Sequence, residues 1–191
     1  MATDGSVRGR TTGFAWLASS GEFGLHGSRH SRRASGSDVV LVTELRAIDA
    51  AVREFRGREI TVFSDNMGAV SIVKRWMDGE DVLPKGYSTY RASGNMPGLV
   101  RARQMIYDHR ETITPVWAKG HQGEPLNEGA HALARLASRY KLNRSTLDNA
   151  EYRRRAEELA ASFSREFRRQ QAMGYSPIGG QPPHTTFGIG S

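Results

Sequence analysis

The strongest indication of the fold lies in residues 116–135, VWAKGHQGEPLNEGAHALAR. Residues 113–117 have the apolar, β-branched character of a strand, and the glycines and proline that follow interrupt regular structure. Apolar side chains then recur at helical spacing behind Asn127, which is a good helix N-cap. The pattern predicts a strand, a glycine-flanked loop that carries His121, and a helix whose first turns carry His131.

The composition is that of a globular, basic chain. The 191 residues are 38% hydrophobic and 25% charged, with a formal net charge of +7 and no cysteine. The positive charge predicts a polyanionic partner, although a basic chain can also be merely soluble. No apolar run approaches the length of a membrane span, so no membrane partner is expected. The absence of cysteine excludes disulfides and thiolate metal sites and favours a cytoplasmic location.

Three acidic residues fall where secondary-structure elements are predicted to begin or end. Asp4 lies near the predicted end of a first strand, which suggests a longer native N-terminus; a turn formed by its Asp-Gly pair is the alternative. Glu44 is predicted in the first turn of an amphipathic helix that Thr43 caps. Asp65 ends the clearest strand of the chain, within a strand–helix–strand unit. Because such units bring strand ends to a common rim, Asp65 is a strong functional candidate.

The segments around these elements suggest further roles. Residues 78–97 are irregular and combine basic with aromatic side chains, as in a nucleic-acid-facing protrusion or a plain loop. Residues 151–171 form a charged amphipathic helix that is expected to pack on the domain, pair with a protein partner or self-associate. The predicted organisation is a domain over 1–145, a helical extension over 146–171 and a disordered tail over 172–191.

These motifs, in this order, resemble the type 1 ribonuclease H family. The resemblance covers about residues 1–142, and its matching pieces are Thr3-Asp4-Gly5-Ser6, Thr43-Glu44-Leu45-Arg46-Ala47, Phe63-Ser64-Asp65, Trp117-Ala-Lys-Gly-His121-Gln-Gly123, and then Pro125, Asn127, Glu128 and Leu133-Ala134-Arg135. It implies an α/β, ribonuclease H-like fold, a mixed five-stranded sheet with helices on both faces, followed here by the C-terminal helical extension.

The resemblance also implies a metal-dependent endonuclease that hydrolyses the RNA strand of RNA/DNA hybrids with two divalent cations, Mg²⁺ or Mn²⁺. By analogy, Asp4 bridges the two ions, and Glu44 and Asp65 hold the ion at the leaving group. His121 on its loop assists proton transfer or product release. The residues expected to bind substrate are Gly5, Ser6, Asn66 and Lys119.

Two departures from the family pattern bear on the activity. His131 stands where the family usually has a fourth aspartate, and an uncharged imidazole suits Mn²⁺ better than Mg²⁺. The expectation is a working site in which His131 is a metal ligand with altered metal preference; a site weakened toward inactivity is the alternative. Val40, Leu41, Val42 and Arg10 replace residues that are often asparagine, which makes recognition of the RNA 2′-hydroxyl less secure.

Two other functions therefore stay open at the level of sequence. One is a non-catalytic nucleic-acid-binding module with a decayed ribonuclease H site, and the other is a DNA-directed nuclease of the same fold. Retention of Asp4, Glu44, Asp65 and His121 favours an enzyme.

Overall fold

The computed structural model describes residues 1–30, 37–90, 93–120, 122–142 and 147–174. The strands are β1 (Ala2–Arg8), β2 (Thr11–Leu17), β3 (Phe23–Arg29), β4 (Ile60–Ser64) and β5 (Ile113–Trp117). The helices are α1 (Ser37–Glu54), α2 (Met67–Met77), α3 (Gly98–Asp108), α4 (Pro125–Leu142) and α5 (Asn149–Ala172), with a short 3-10 turn at Arg110–Thr112. Where it is described, the segment between α2 and α3 forms turns and loops, as predicted.

The five strands form one mixed sheet in the order β3-β2-β1-β4-β5. The first three strands are antiparallel neighbours, whereas β4 runs parallel to both β1 and β5. The mixed sheet, its flanking helices and the C-terminal helix confirm the predicted fold class. Among the residues described, no helix is both long and apolar enough to cross a membrane.

Each face of the sheet has its own apolar core. Side chains alternate along β2, so Trp16 joins the core beneath α1, α2 and α3, while Ala15 and Leu17 face the opposite side. On that opposite side they meet Leu133 of α4 and Phe167 of α5. The sheet is therefore covered on both faces.

Helix α5 packs on α4 rather than extending away from the domain. Phe167 is only 6% exposed, and the rings of Tyr140 and Tyr152 stack with their centroids 4.0 Å apart. Gly129 permits the close approach, since a Cβ there would lie 2.8 Å from the Cβ of Phe163. The division at residue 145 stays a prediction, and most of the predicted tail, 175–191, lies outside the described residues.

The structure corrects the expected position of Asp4. It lies in the first half of β1, which continues through the Asp-Gly pair to Arg8, so it neither ends a strand nor forms a turn. Met1 already joins the neighbouring strand, because its amino nitrogen donates to the Thr61 carbonyl oxygen at 2.9 Å. The argument for a longer native start rested on a strand ending at Asp4, and that premise is wrong.

Two predicted helix starts are also wrong. Helix α1 begins at Ser37, so Glu44 lies two turns inside it, and the Thr43 hydroxyl donates to the Val39 carbonyl oxygen at 2.7 Å instead of capping the helix. Helix α4 begins at Pro125, where proline is favoured because a first helical residue needs no N–H partner. The Glu124 carboxylate accepts from the Asn127 N–H at 2.6 Å and supplies the cap in place of Asn127.

Candidate metal centre and active site

The sheet and α1 bring three carboxylates together. Asp4 and Asp65 directly follow Thr3 and Ser64, which are paired across the parallel strands β1 and β4. Glu44 projects from α1 onto β1, and one carboxylate oxygen from each of the three acids lies within 4.8 Å of the other two. The end of β4 and the adjacent part of β1 therefore form a rim that gathers acids 61 residues apart in sequence, from 4 to 65, although Asp4 itself lies within its strand.

Two of the three acids are buried, which makes their charged form costly. Asp4 is 4% and Glu44 3% exposed, and the Glu44 Oε2 atom has no hydrogen-bond partner among the described residues. Burial first, and then the charges of Asp4 and Asp65, raise the pKa of Glu44 far above its ordinary value. Carboxylate oxygens that repel one another and include a buried oxygen without a partner fit a hard divalent cation, which needs several such ligands.

His131 reaches the cluster through Asp4. Its Nδ1 atom lies 3.1 Å from the Asp4 Oδ2 atom. That hydrogen bond raises the pKa of His131, although burial opposes it, and so favours a positively charged imidazole. The structure thus places His131 beside the first of the three acids, and its role as a metal ligand stays a prediction.

Two residues of the motif at 117–123 lie against Asp65. The Trp117 indole Nε1 donates to the backbone oxygen of Asp65 at 3.1 Å. Gly120 leaves room for the carboxylate, because a Cβ there would lie only 2.6 Å from the Asp65 Oδ2 atom. Their motif, Trp-Ala-Lys-Gly, was visible in the sequence, but nothing in it pointed to Asp65.

The residues predicted to bind substrate differ in what they contact: one lies at the carboxylate cluster, and two form hydrogen bonds to other residues. Gly5 is adjacent to the cluster, since a Cβ on it would lie 3.0 Å from the Glu44 Oε1 atom. Ser6 hydrogen-bonds through its hydroxyl to that of Ser138 at 3.1 Å, and Asn66 caps α2 by accepting from the Ala69 N–H at 2.9 Å.

The two remaining predictions fall on the loop after β5. Lys119 is exposed at the end of this strand, and His121 lies outside the described residues. The proposed arrangement of His121 beside the acids is therefore a prediction from sequence alone.

Sequence reasoning also missed the basic residues beside the site. A cavity of about 350 Å³ next to Gly5 and Ser6 is lined by Arg8, Arg135 and Arg139. The two α4 arginines follow His131 at intervals of four, which places all three residues on one face of the helix. That spacing could have been found in the sequence once His131 had been placed at the site.

Comparisons with known proteins identify a family and related sequences. Residues 1–139 match the family model described as RNase H. Two curated relatives named Ribonuclease H, from strains 2CP-C and 2CP-1 of Anaeromyxobacter dehalogenans, are each 36% identical over 100 residues, which is 50% of this chain. The chain spans about half the length of these relatives, 52% of each.

A solved structure is similar as well. It is the N-terminal RNase H domain of a Mycobacterium tuberculosis protein, determined as a fusion with maltose binding protein. The likeness has a TM-score of 0.47 at 16% identity and covers 75% of this chain and 95% of that one.

Proposed function

We propose, since the chain belongs to the ribonuclease H family, that it is a metal-dependent endonuclease that hydrolyses the RNA strand of RNA/DNA hybrids. The observation that carries the proposal is the cluster of Asp4, Glu44 and Asp65 at one rim of the sheet. A basic chain with a net charge of +7 suits a nucleic-acid substrate.

The three acids are proposed to hold two divalent cations, Mg²⁺ or Mn²⁺. The oxygens of Asp4, Glu44 and Asp65 would hold the ions, as the family resemblance implies. Bound there, such ions supply an activated water and stabilise the oxygen that leaves the cleaved phosphodiester.

The protein's own contribution is to keep the carboxylates fixed before substrate arrives. Glu44 is fixed by its position in the middle of α1. The Trp117 indole fixes the backbone oxygen of Asp65, and Gly120 leaves room for the Asp65 carboxylate. The Glu44 Oε2 atom is buried and has no competing hydrogen bond from the described residues. Fixed oxygen ligands of this kind need little rearrangement during the reaction, which is how preorganised sites lower the barrier.

His131 is proposed to tune the site by its contact with Asp4. A charged imidazole offsets part of the negative charge of Asp4, whereas a neutral imidazole is available as a ligand that suits Mn²⁺. Comparing His131→Asp and His131→Ala with the parent in Mg²⁺ and in Mn²⁺ separates these roles. Metal preference that is unchanged in His131→Ala would exclude the ligand role.

The same contact favours a second candidate function. If the hydrogen bond from His131 prevents Asp4 from binding a cation, the chain is a nucleic-acid-binding module with a decayed site. Hybrid binding without cleavage in either metal would identify that function.

The experiment that tests the substrate class is a panel of labelled duplexes. Hybrids labelled on either strand, duplex DNA and duplex RNA are incubated with the protein in Mg²⁺ and in Mn²⁺. The proposal predicts cleavage confined to the RNA strand of the hybrid. Cleavage of duplex DNA instead would identify a DNA-directed nuclease of the same fold, and the proposal would be wrong.

A further inference from the structure

A groove runs along α4 from the carboxylate cluster toward α5. A cavity of about 720 Å³ lies between α4 and α5, and the smaller cavity beside β1 adjoins it. His131, Arg135 and Arg139 line both cavities, so the two adjoin and make up a paired depression along α4. Asp4, Glu44 and Asp65 line neither cavity, but His131 contacts Asp4, so this depression lies next to the proposed active site. We name it the arginine groove, defined by Arg8, Arg135, Arg139 and Arg155.

The arginine groove is most strongly positive on its β1 side. The smaller cavity is lined by three arginines and no acidic side chain, whereas Glu128 and Glu158 also line the larger cavity. Arg8, Arg135 and Arg139 are exposed, and their side chains make no ion pair within the part of the chain that the structure describes. Arg155 on the α5 wall pairs with Glu151 at 2.6 Å. Like charges four residues apart, such as Arg135 and Arg139, destabilise a helix. A polyanion lying in the groove would remove that repulsion.

The length of the groove matches a short stretch of nucleic-acid strand. The eight steps along the helix from His131 to Arg139 correspond to about 12 Å. At about 3.4 Å per nucleotide along one strand, that distance accommodates three to four nucleotides. Leu136, Leu159 and Phe163 supply apolar contact surface between α4 and α5. Helix α5 therefore provides one side of the larger cavity as well as covering α4.

We propose that the arginine groove binds the phosphate backbone of the strand that the carboxylate cluster cleaves, over three to four nucleotides to one side of the cleaved bond. The inference rests on the proposed function, because the occupant is the substrate of that site. Arg135 and Arg139 contact phosphates, while the α5 side keeps the strand against α4. A contact of this kind strengthens substrate binding without reading sequence.

The test compares two double variants in an Asp65→Asn background, which allows binding to be measured without cleavage. Arg135→Gln with Arg139→Gln removes two charges from the groove. Arg153→Gln with Arg165→Gln removes two charges from exposed positions of α5 that do not line it. The affinity for a hybrid is measured by fluorescence anisotropy over a range of salt concentrations, together with the melting temperature of each variant.

The groove variant is expected to bind on the order of tenfold more weakly at low salt. Its slope of log affinity against log salt should fall by about 1.5, since each lost phosphate contact removes roughly 0.7–0.9. With Asp65 restored, KM should rise while kcat stays within about twofold. The control double variant should change the slope much less. Equal slopes in the two double variants would overturn the proposal.

The experiment gives different results if only the arginine groove is wrong and if the proposed function is wrong as well. If the parent cleaves the hybrid and the groove variant keeps the parental salt slope, only the arginine groove is excluded as a phosphate site. If the parent neither cleaves nor binds the hybrid, both the function and the groove assignment are wrong.

Discussion

Glu44 is the residue at which stability and function are most clearly opposed. Its carboxylate is buried beside two other acids, and one of its oxygens has no hydrogen-bond partner among the described residues. We predict that Glu44→Gln raises the melting temperature in the presence of a chelator, by about 2–4 °C for each kcal/mol of repulsion that is removed. The same variant should lose hybrid cleavage, because the cation loses a charged ligand. Differential scanning calorimetry with and without Mg²⁺ measures the first effect.

The matched control for this prediction is Glu54→Gln. Glu54 is exposed near the end of the same helix. Its replacement by glutamine should therefore leave the melting temperature of the protein nearly unchanged, both with a chelator and with Mg²⁺. If Glu44→Gln melted below the parent in chelator, the three acids would not be repelling one another in the folded protein.

Gly120 is predicted to matter for metal binding more than for folding. A methyl group there would lie 2.6 Å from the Asp65 Oδ2 atom, so the short carboxylate side chain must move. We expect Gly120→Ala to weaken Mg²⁺ binding and to reduce cleavage on the order of tenfold or more, since misplaced ligands lose catalytic geometry. The Mg²⁺ concentration that gives half of the full thermal stabilisation measures the change. An unaltered half-point with unaltered cleavage would show that Asp65 tolerates the displacement.

The acids themselves could be identified from the sequence, whereas their surroundings could not. Asp4, Glu44 and Asp65 were found because their motifs occur in a fixed order, and the structure brings them together. The Asp-Gly pair looked like a turn because glycine favours turns. In the structure Gly5 instead allows β1 to approach the Glu44 side chain, a contact between distant segments that no local pattern reveals.

At the scale of elements, the strands and helices were predictable and their starts were not. Thr43 resembles a cap because a threonine hydroxyl can satisfy free backbone groups, yet inside α1 it bonds to the carbonyl four residues earlier. Glu124 caps α4 through a buried carboxylate, although the usual capping residues are shorter. Local signals compete with one another, and tertiary packing decides which of them is used.

The contact between α4 and α5 depends on the absence of a side chain at Gly129. Alanine normally stabilises a helix relative to glycine by roughly 1 kcal/mol. At Gly129 an added Cβ would lie 2.5 Å from the Leu17 Cδ2 atom and 2.8 Å from the Phe163 Cβ atom. We therefore predict that Gly129→Ala lowers the free energy of unfolding by about 1–3 kcal/mol, because overpacking displaces α5. Urea unfolding followed by circular dichroism measures it.

Gly98→Ala is the matched comparison for α5 packing. Gly98 also lies in a helix, but the nearest atom to an added Cβ is the Tyr87 hydroxyl oxygen at 3.7 Å, an ordinary contact. This variant should be neutral or slightly stabilising. A similar change in the free energy of unfolding for both substitutions would mean that the contact with α5 does not restrict the side chain at position 129.

At the scale of the whole molecule, the sheet places the three acids at one rim, and α4 and α5 add a basic surface beside them. The net charge of +7 predicted a polyanionic partner, but composition could not say where such a partner lies. Part of this positive charge lies where α5 packs on α4. The two helices form a cavity that is lined by Arg135 and Arg139 and lies beside the carboxylate cluster. The amphipathic pattern of residues 151–171 predicted burial without identifying the surface that it covers.

The central claim is that Asp4, Glu44 and Asp65 form a metal site that cleaves the RNA strand of a hybrid. The most direct measurement is hydrolysis of an RNA/DNA hybrid labelled on its RNA strand, in Mg²⁺ and in Mn²⁺, by the parent and by Asp65→Asn at equal folded concentration. We predict RNA cleavage by the parent that a chelator stops and that Asp65→Asn reduces by at least about a hundredfold. Cleavage that persists undiminished in Asp65→Asn, or a parent that binds the hybrid and leaves it intact in both metals, would contradict the claim.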